Sequence, residues 1–325
     1  MCADTIVVRM PSRLVALLAA AAFGAAACTG TPSAVRTPAP SSPTGSVSPT
    51  PSPVLVDFDA ERALVHDRML AVTIGPHEAG SPAYRRAASY AASVFSGFGY
   101  RVTRQRVPLP SGRSQGTPVP AGWTQNVIAT PPGYDPAKPH LVVGAHLDTV
   151  VPSPGGNDNG SGAATLLELA RLASLEPTAM PIVWIEFGGE ERRRPGVPGA
   201  TFGSRYYVAH LSSAERKSLR GMMTIDMVGN GPVVYVCHES LTGDGFVDAL
   251  VASGKRLHLK AQKRIVVGFF SDHSAFEHAG VVVAWLWTGT DPKFHTSRDT
   301  FSNVQRSSVD HTGRIAWDTL RSLRL

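Results

Sequence analysis

Four short apolar runs, at residues 141–145, 182–187, 222–225 and 281–287, constrain this 325-residue chain most, because each is followed by polar groups of the metal-binding kind. Their length and composition suit strands buried on both faces, and helical patterns separate most of them. The clearest of those patterns is 162–175, where Ala164, Leu167, Ala170, Leu172 and Leu175 form one apolar surface. Strands alternating with helices predict an α/β fold, a three-layer sandwich with a largely parallel central sheet and helices on both faces.

Upstream, residues 59–72 repeat at helical spacing, and Ser81-Pro82 opens a second helix with serine as cap and proline in the first turn. Residues 111–122 read as a loop from their Gly and Pro content. With 43% apolar and 17% charged residues the body is globular, and one domain over 54–325 is expected. The formal charge of +6 is scattered arginine without a long basic run or interleaved aromatics, which argues against nucleic acid as a partner.

Arg9 and Arg13 precede an apolar stretch at 14–27 and then Cys28, the order of a signal peptide. That stretch is shorter than the ~20 residues a membrane-crossing helix needs. Gly24-Ala25-Ala26-Ala27-Cys28 resembles a bacterial lipoprotein signal, with Ala25 where leucine is usual. The expectation is therefore a signal peptide over 1–28 and a Pro/Ser/Thr-rich tether over 29–53. The protein is then exported, either held at the outer face of the cell membrane by a lipid on Cys28 or secreted, and it is a monomer. Cys237 lies in an apolar run and reads as an inert buried thiol.

Ligands of open α/β sheets sit at the carboxyl ends of the strands, so the residues there matter most. The first run leads into His146-Leu147-Asp148, an imidazole with a carboxylate two residues on that can support it. Asp158 follows in a glycine-rich loop before the long helix, where a helix cap or Asx turn is the plainer alternative. Glu190 and Glu191 follow the second run, and adjacent acids can divide ligation from proton transfer. Asp226 stands among apolar neighbours and needs a partner, and His295 follows the last run. Imidazole and carboxylate donors without cysteine suit zinc, with manganese or cobalt as alternatives.

In sequence order, these residues resemble metallopeptidase family twenty-eight, the di-zinc aminopeptidases with a phosphorylase/hydrolase-like fold. The resemblance rests on Gly144-Ala145-His146-Leu147-Asp148-Thr149, Asn157-Asp158-Asn159-Gly160-Ser161-Gly162, Gly189-Glu190-Glu191, Asp226, Ser271-Asp272-His273 and residues 295–300. It implies two zinc ions: His146 and Asp226 would hold one, Glu191 and His295 the other, and Asp158 would bridge them. It also implies Glu190 as general base, Asp148 as the group orienting His146, and peptides cleaved at their amino terminus as substrates. Glutaminyl cyclases, which use a single zinc, share much of this signature and are the alternative. The chain departs from the pattern at Arg192–Ala200, an insertion whose arginines are expected either in a solvated loop or facing an acidic substrate.

Overall fold

Alternation along each strand decides which helices it meets. In β5 (His140–His146), Leu141, Val143 and Ala145 join one apolar cluster and Val142 joins another. The first cluster takes in α1 (Ala60–Arg68), α2 (Pro82–Gly97), α3 (Gly162–Leu175), α6 (Gly245–Arg256) and α8 (Arg306–Ser322). The second takes in α4 (Phe202–Ala209) and α7 (His273–Glu277); a short α5 (Ser213–Ser218) leads into β7. Both faces of the sheet are covered, and the three layers follow from that two-sided burial.

A computed structural model describes residues 56–196, 199–268 and 271–323. The signal peptide, Cys28 and the tether assigned to residues 1–53 lie outside them. Val54–Leu325 is one compact unit. Among the described residues no helix is long and apolar enough to cross a membrane.

The centre of the sheet is four parallel strands, β6 (Ile182–Phe187), β5, β7 (Leu219–Ile225) and β10 (Val283–Trp287). Antiparallel pairing flanks it on both sides. β4 (Gly122–Thr130) runs against β6 and carries β1 (Arg101–Leu109), while β8 (Val234–His238) runs against β10 and pairs in parallel with β9 (Ala261–Ile265). The flanking strands β1 and β9 are largely exposed and so lack the continuous apolar runs that mark the central four.

Local signals act as the sequence predicts at several points. Ser81 Oγ accepts the Tyr84 amide at 3.0 Å with Pro82 in the first turn, α3 spans the expected residues, and Cys237 is buried. The stretch expected to be a loop at 111–122 is instead a small hairpin, β2 (Gly112–Ser114) and β3 (Thr117–Val119). Its turn residues Gln115 and Gly116 both have positive φ, 43° and 82°, which suits the right-handed twist of a two-residue hairpin.

Gly144 is small for a packing reason. A Cβ there would lie 2.3 Å from Cε2 of Phe187, a fully buried ring in the neighbouring strand. Gly144→Ala is expected to lower stability by about 1–3 kcal/mol in denaturant unfolding, and adding Phe187→Leu should restore part of it.

Candidate metal centre

The carboxyl ends of β5, β6 and β7 and the loop after β10 bring His146, Asp158, Glu190, Glu191, Asp226 and His295 to one cavity of about 540 Å³. Its other walls are largely apolar, with Met227, Val266, Trp285, Trp287 and Phe294. All the sequence-predicted ligands and the predicted base thus meet in a single place.

Asp158 stands between two sets of groups. Its Oδ1 is 3.2 Å from Nε2 of His146, which is 3.4 Å from Oδ1 of Asp226. Its Oδ2 is 3.1 Å from Nε2 of His295, which is 3.0 Å from Oε2 of Glu191. Each half therefore offers one imidazole nitrogen and two carboxylate oxygens, and Asp158 belongs to both. Asp158 Oδ2, Glu191 Oε1 and Asp226 Oδ1 are buried yet accept no aligned hydrogen bond, although histidine nitrogens lie close to two of them. Lone pairs converging without protons between them are what a cation would satisfy, and the donor set fits zinc.

The charge balance of this cluster shows in its proton affinities. Burial lowers the affinity of His295, but the adjacent carboxylates of Asp158 and Glu191 outweigh it and push the imidazole up to about 10. Burial and the nearby Asp158 push Glu191 up to about 7. In Asp158 the two histidines outweigh burial and hold the carboxyl well below its usual range. Glu190 is raised well above the carboxylate range by burial, with Glu191, Asp272 and Asp226 adding to the effect.

Backbone amides fix the anionic groups. The Asp148 carboxylate accepts from the amides of Gly189 at 2.7 Å, Glu190 at 3.0 Å and Glu191 at 3.2 Å. This corrects the expectation that this carboxylate supports His146. The ring's Nδ1 instead faces the backbone carbonyl of Asp148 at 3.0 Å, and the carboxylate, its charge taken by three amides, shapes the loop carrying both glutamates. Asp299 does the same for the Asp158 loop, accepting the amides of Asn157 at 2.7 Å and Asp158 at 3.0 Å.

Asn159 Oδ1 accepts from Gly162 and Met227, and Asn157 Oδ1 from Gly229, which ties that loop to the end of β7. The Asp158 carboxylate caps no helix: Ser161 stands at the cap position of α3, and the side-chain oxygen on the first amide is that of Asn159.

One contributor is absent from the sequence reading, and a second is placed differently from it. Gln115, at the hairpin turn, puts its side-chain amide 2.5 Å from Nδ1 of His295, a contact between residues 180 apart in sequence. A half-turn of the amide exchanges its oxygen and nitrogen; with the oxygen inward, Gln115 accepts Nδ1–H and leaves Nε2 free to ligate.

The second is Arg193 of the insertion, expected in a solvated loop or facing substrate. It is buried instead, pairing with Glu78 and donating to the carbonyls of Ala79, Pro110 and Pro120. Its own carbonyl accepts the Arg113 amide at 2.9 Å, so the insertion holds the hairpin that carries Gln115. Arg192 reaches the cavity wall, while Arg194 contacts Ser111.

Comparison with known proteins adds an independent line. Residues 126–320 match the sequence profile of Peptidase family M28. Aminopeptidase YwaD of Bacillus subtilis is 31% identical over 206 residues, which is 59% of this chain and 43% of that protein. The chain thus spans less than half the length of the curated relatives it matches. Among solved structures, BSAP, a zinc aminopeptidase from Bacillus subtilis, superposes with a TM-score of 0.72 at 20% identity, covering 81% of this chain and 94% of that one. A glutaminyl cyclase from Bacteroides thetaiotaomicron superposes with 0.69 at 21%, covering 83% and 100%. At these identities the likeness is one of fold.

Arg193→Met is expected to cost about 3–5 kcal/mol by stranding Glu78, whereas Arg192→Met and Arg194→Met should be near neutral in the same unfolding assay. Gln115→Ala should weaken zinc retention against a chelator by about 10–100-fold, and Gln115→Glu, which can still accept Nδ1–H, should keep most of it.

Proposed function

The chain belongs to Peptidase family M28, and from that premise we propose that it is a zinc aminopeptidase with two metal ions and Glu190 as its general base. The observation that carries this reading is the position of Asp158, one carboxylate oxygen facing His146 and Asp226 and the other facing His295 and Glu191. His146, Asp158 and Asp226 would hold one ion, and Asp158, Glu191 and His295 the other. When bound, the pair supplies Lewis acidity toward the scissile carbonyl and lowers the pKa of a water to about 7.

The chain's own groups do the rest. Glu190 borders the cavity beside His146 and Glu191, close enough to group with both, and stands outside the two ligand sets that Asp158 joins. Its raised proton affinity suits a carboxylate that takes a proton from attacking water and passes it to the leaving amine. The three amides held by Asp148 set the height of Glu190 over the site, so Asp148 acts as a positioning residue. With those acids engaged by the two ions, the free amine of a substrate would offer a lone pair that an internal peptide lacks, which supports an exopeptidase reading. The apolar walls desolvate the first side chain and strengthen those charge interactions.

The glutaminyl cyclase likeness in fold keeps a second reading open, a single-zinc transferase acting on amino-terminal glutamine. The completeness of both donor sets in this chain favours the two-metal hydrolase. The export reading of residues 1–53, with a lipid on Cys28 or release after cleavage, belongs to the same proposal and rests on the sequence. Peptides outside the cell are then the substrates.

Glu190→Gln is expected to keep both zinc ions and lose about 10²–10⁴-fold in kcat on aminoacyl anilides. One zinc at this centre together with pyroglutamate from a glutaminyl peptide would establish the cyclase, and a Glu190→Gln enzyme of normal turnover would remove Glu190 from the role of base.

A further inference from the structure

A second group of metal-type side chains lies behind the cavity wall. Glu239 follows the end of β8, and His273 and Glu277 stand one turn apart on α7, so they share a face of that helix. One ligand atom from each lies within 4.8 Å of the others. All three are buried, His273 completely. None of them lines the cavity of the candidate active site.

The existing hydrogen bonds leave this group short of positive charge. Glu277 accepts the amides of Glu239 at 2.7 Å and Leu241 at 2.9 Å, and Oε2 of Glu239 lies 3.2 Å from Nε2 of His278 and accepts the Gly268 amide at 3.4 Å. Among the described residues, Oε1 of Glu239 and both ring nitrogens of His273 have no hydrogen-bond partner. Among the described residues neither glutamate pairs with lysine or arginine; their close ionisable neighbours are His278 and, at 3.8 Å, His238. With neither His273 nitrogen taken by a hydrogen bond, the one that carries no proton offers its lone pair to this group. Two buried carboxylates and an imidazole with an open lone pair are the donors that a divalent cation takes.

We propose that Glu239, His273 and Glu277 bind one further divalent ion, zinc by the character of the donors, as a structural site separate from the catalytic pair. Its consequence for the enzyme runs through Trp285. That ring stacks on His273 with centroids 5.2 Å apart, lines the catalytic cavity, and donates its Nε1–H to the Asp226 carbonyl at 3.3 Å. An ion on His273 fixes the ring against which this wall packs. It also joins α7 to the end of β8, whose His238 carbonyl accepts the Val266 amide and so positions another residue of the wall.

The test uses the full chain, stripped of metal and then given zinc alone, with bound zinc counted by elemental analysis after gel filtration. The background is His146→Ala/His295→Ala, which removes the catalytic imidazoles and makes the count independent of how many ions the active site holds. In that background one zinc per chain is expected to remain, and a free concentration of zinc about 100-fold above its Kd should raise the unfolding midpoint by about 5–10 °C. Adding Glu239→Gln should abolish both the bound ion and the shift; if that chain does not fold, His273→Asn serves in its place. The proposal is overturned if the background chain binds no zinc, or if either added substitution leaves the count and the midpoint shift unchanged. A failure of the two-zinc reading would appear separately, as fewer ions lost between wild type and the double variant.

Discussion

Four carboxylates and two imidazoles crowd the dry end of a parallel sheet, and keeping like charges together there is the constraint on which the remaining structure depends. Burial and mutual repulsion work against it, as the raised proton affinities of Glu190 and Glu191 record. The protein holds the segments that carry these groups through their backbone amides. Asp148 gathers the three amides of the Gly189-Glu190-Glu191 turn, and Asp299 gathers two from the Asp158 loop. Both acids sit one layer behind the groups they organise, and each turns a flexible glycine-rich segment into a fixed one. Glu190 and Asp158 are placed in this way.

The second imidazole is supported differently from the first. His146 is satisfied within its own strand end, by a carbonyl two residues away. His295 lies in a loop, at a left-handed φ of 58°, and takes its outer partner from the distant Gln115. That partner stands before the stretch that matches the family, on a hairpin held by the buried Arg193 of the Arg192–Ala200 insertion. The insertion and the hairpin therefore act as one device, and its product is a hydrogen bond at the metal centre. An arginine run that looks like a solvated loop is partly a core element because Glu78 and three carbonyls surround it.

Trp285 connects the two regions of unmet charge. One side of its neighbourhood is Asp226 and the cavity; the other is His273 and the Glu239–Glu277 pair. The wall that receives a substrate side chain and the buried cluster behind it are thus mechanically one unit. In a close-packed interior, a change on one face of that ring reaches the other.

Much of this was legible in the linear chain. The four apolar runs, the caps at Ser81 and Pro82, and the helix Gly162–Leu175 are local patterns, and local patterns survive folding when the core agrees with them. The candidate ligands and base were legible too, because each stands just beyond a run that can only be a buried strand, and parallel strands bring their carboxyl ends to one edge. The half-exposed strands at the sheet's flanks, the hairpin at 112–119, the pairing of Arg193 with Glu78 and the contact of Gln115 with His295 were not. Each depends on which distant segment is a neighbour, and no periodicity or spacing encodes that. By itself the sequence determined the kind of chemistry at each strand end; the tertiary structure alone decided which partner holds each of those groups, because hydrogen bonds reach only about 3 Å and proximity exists only once the sheet has formed.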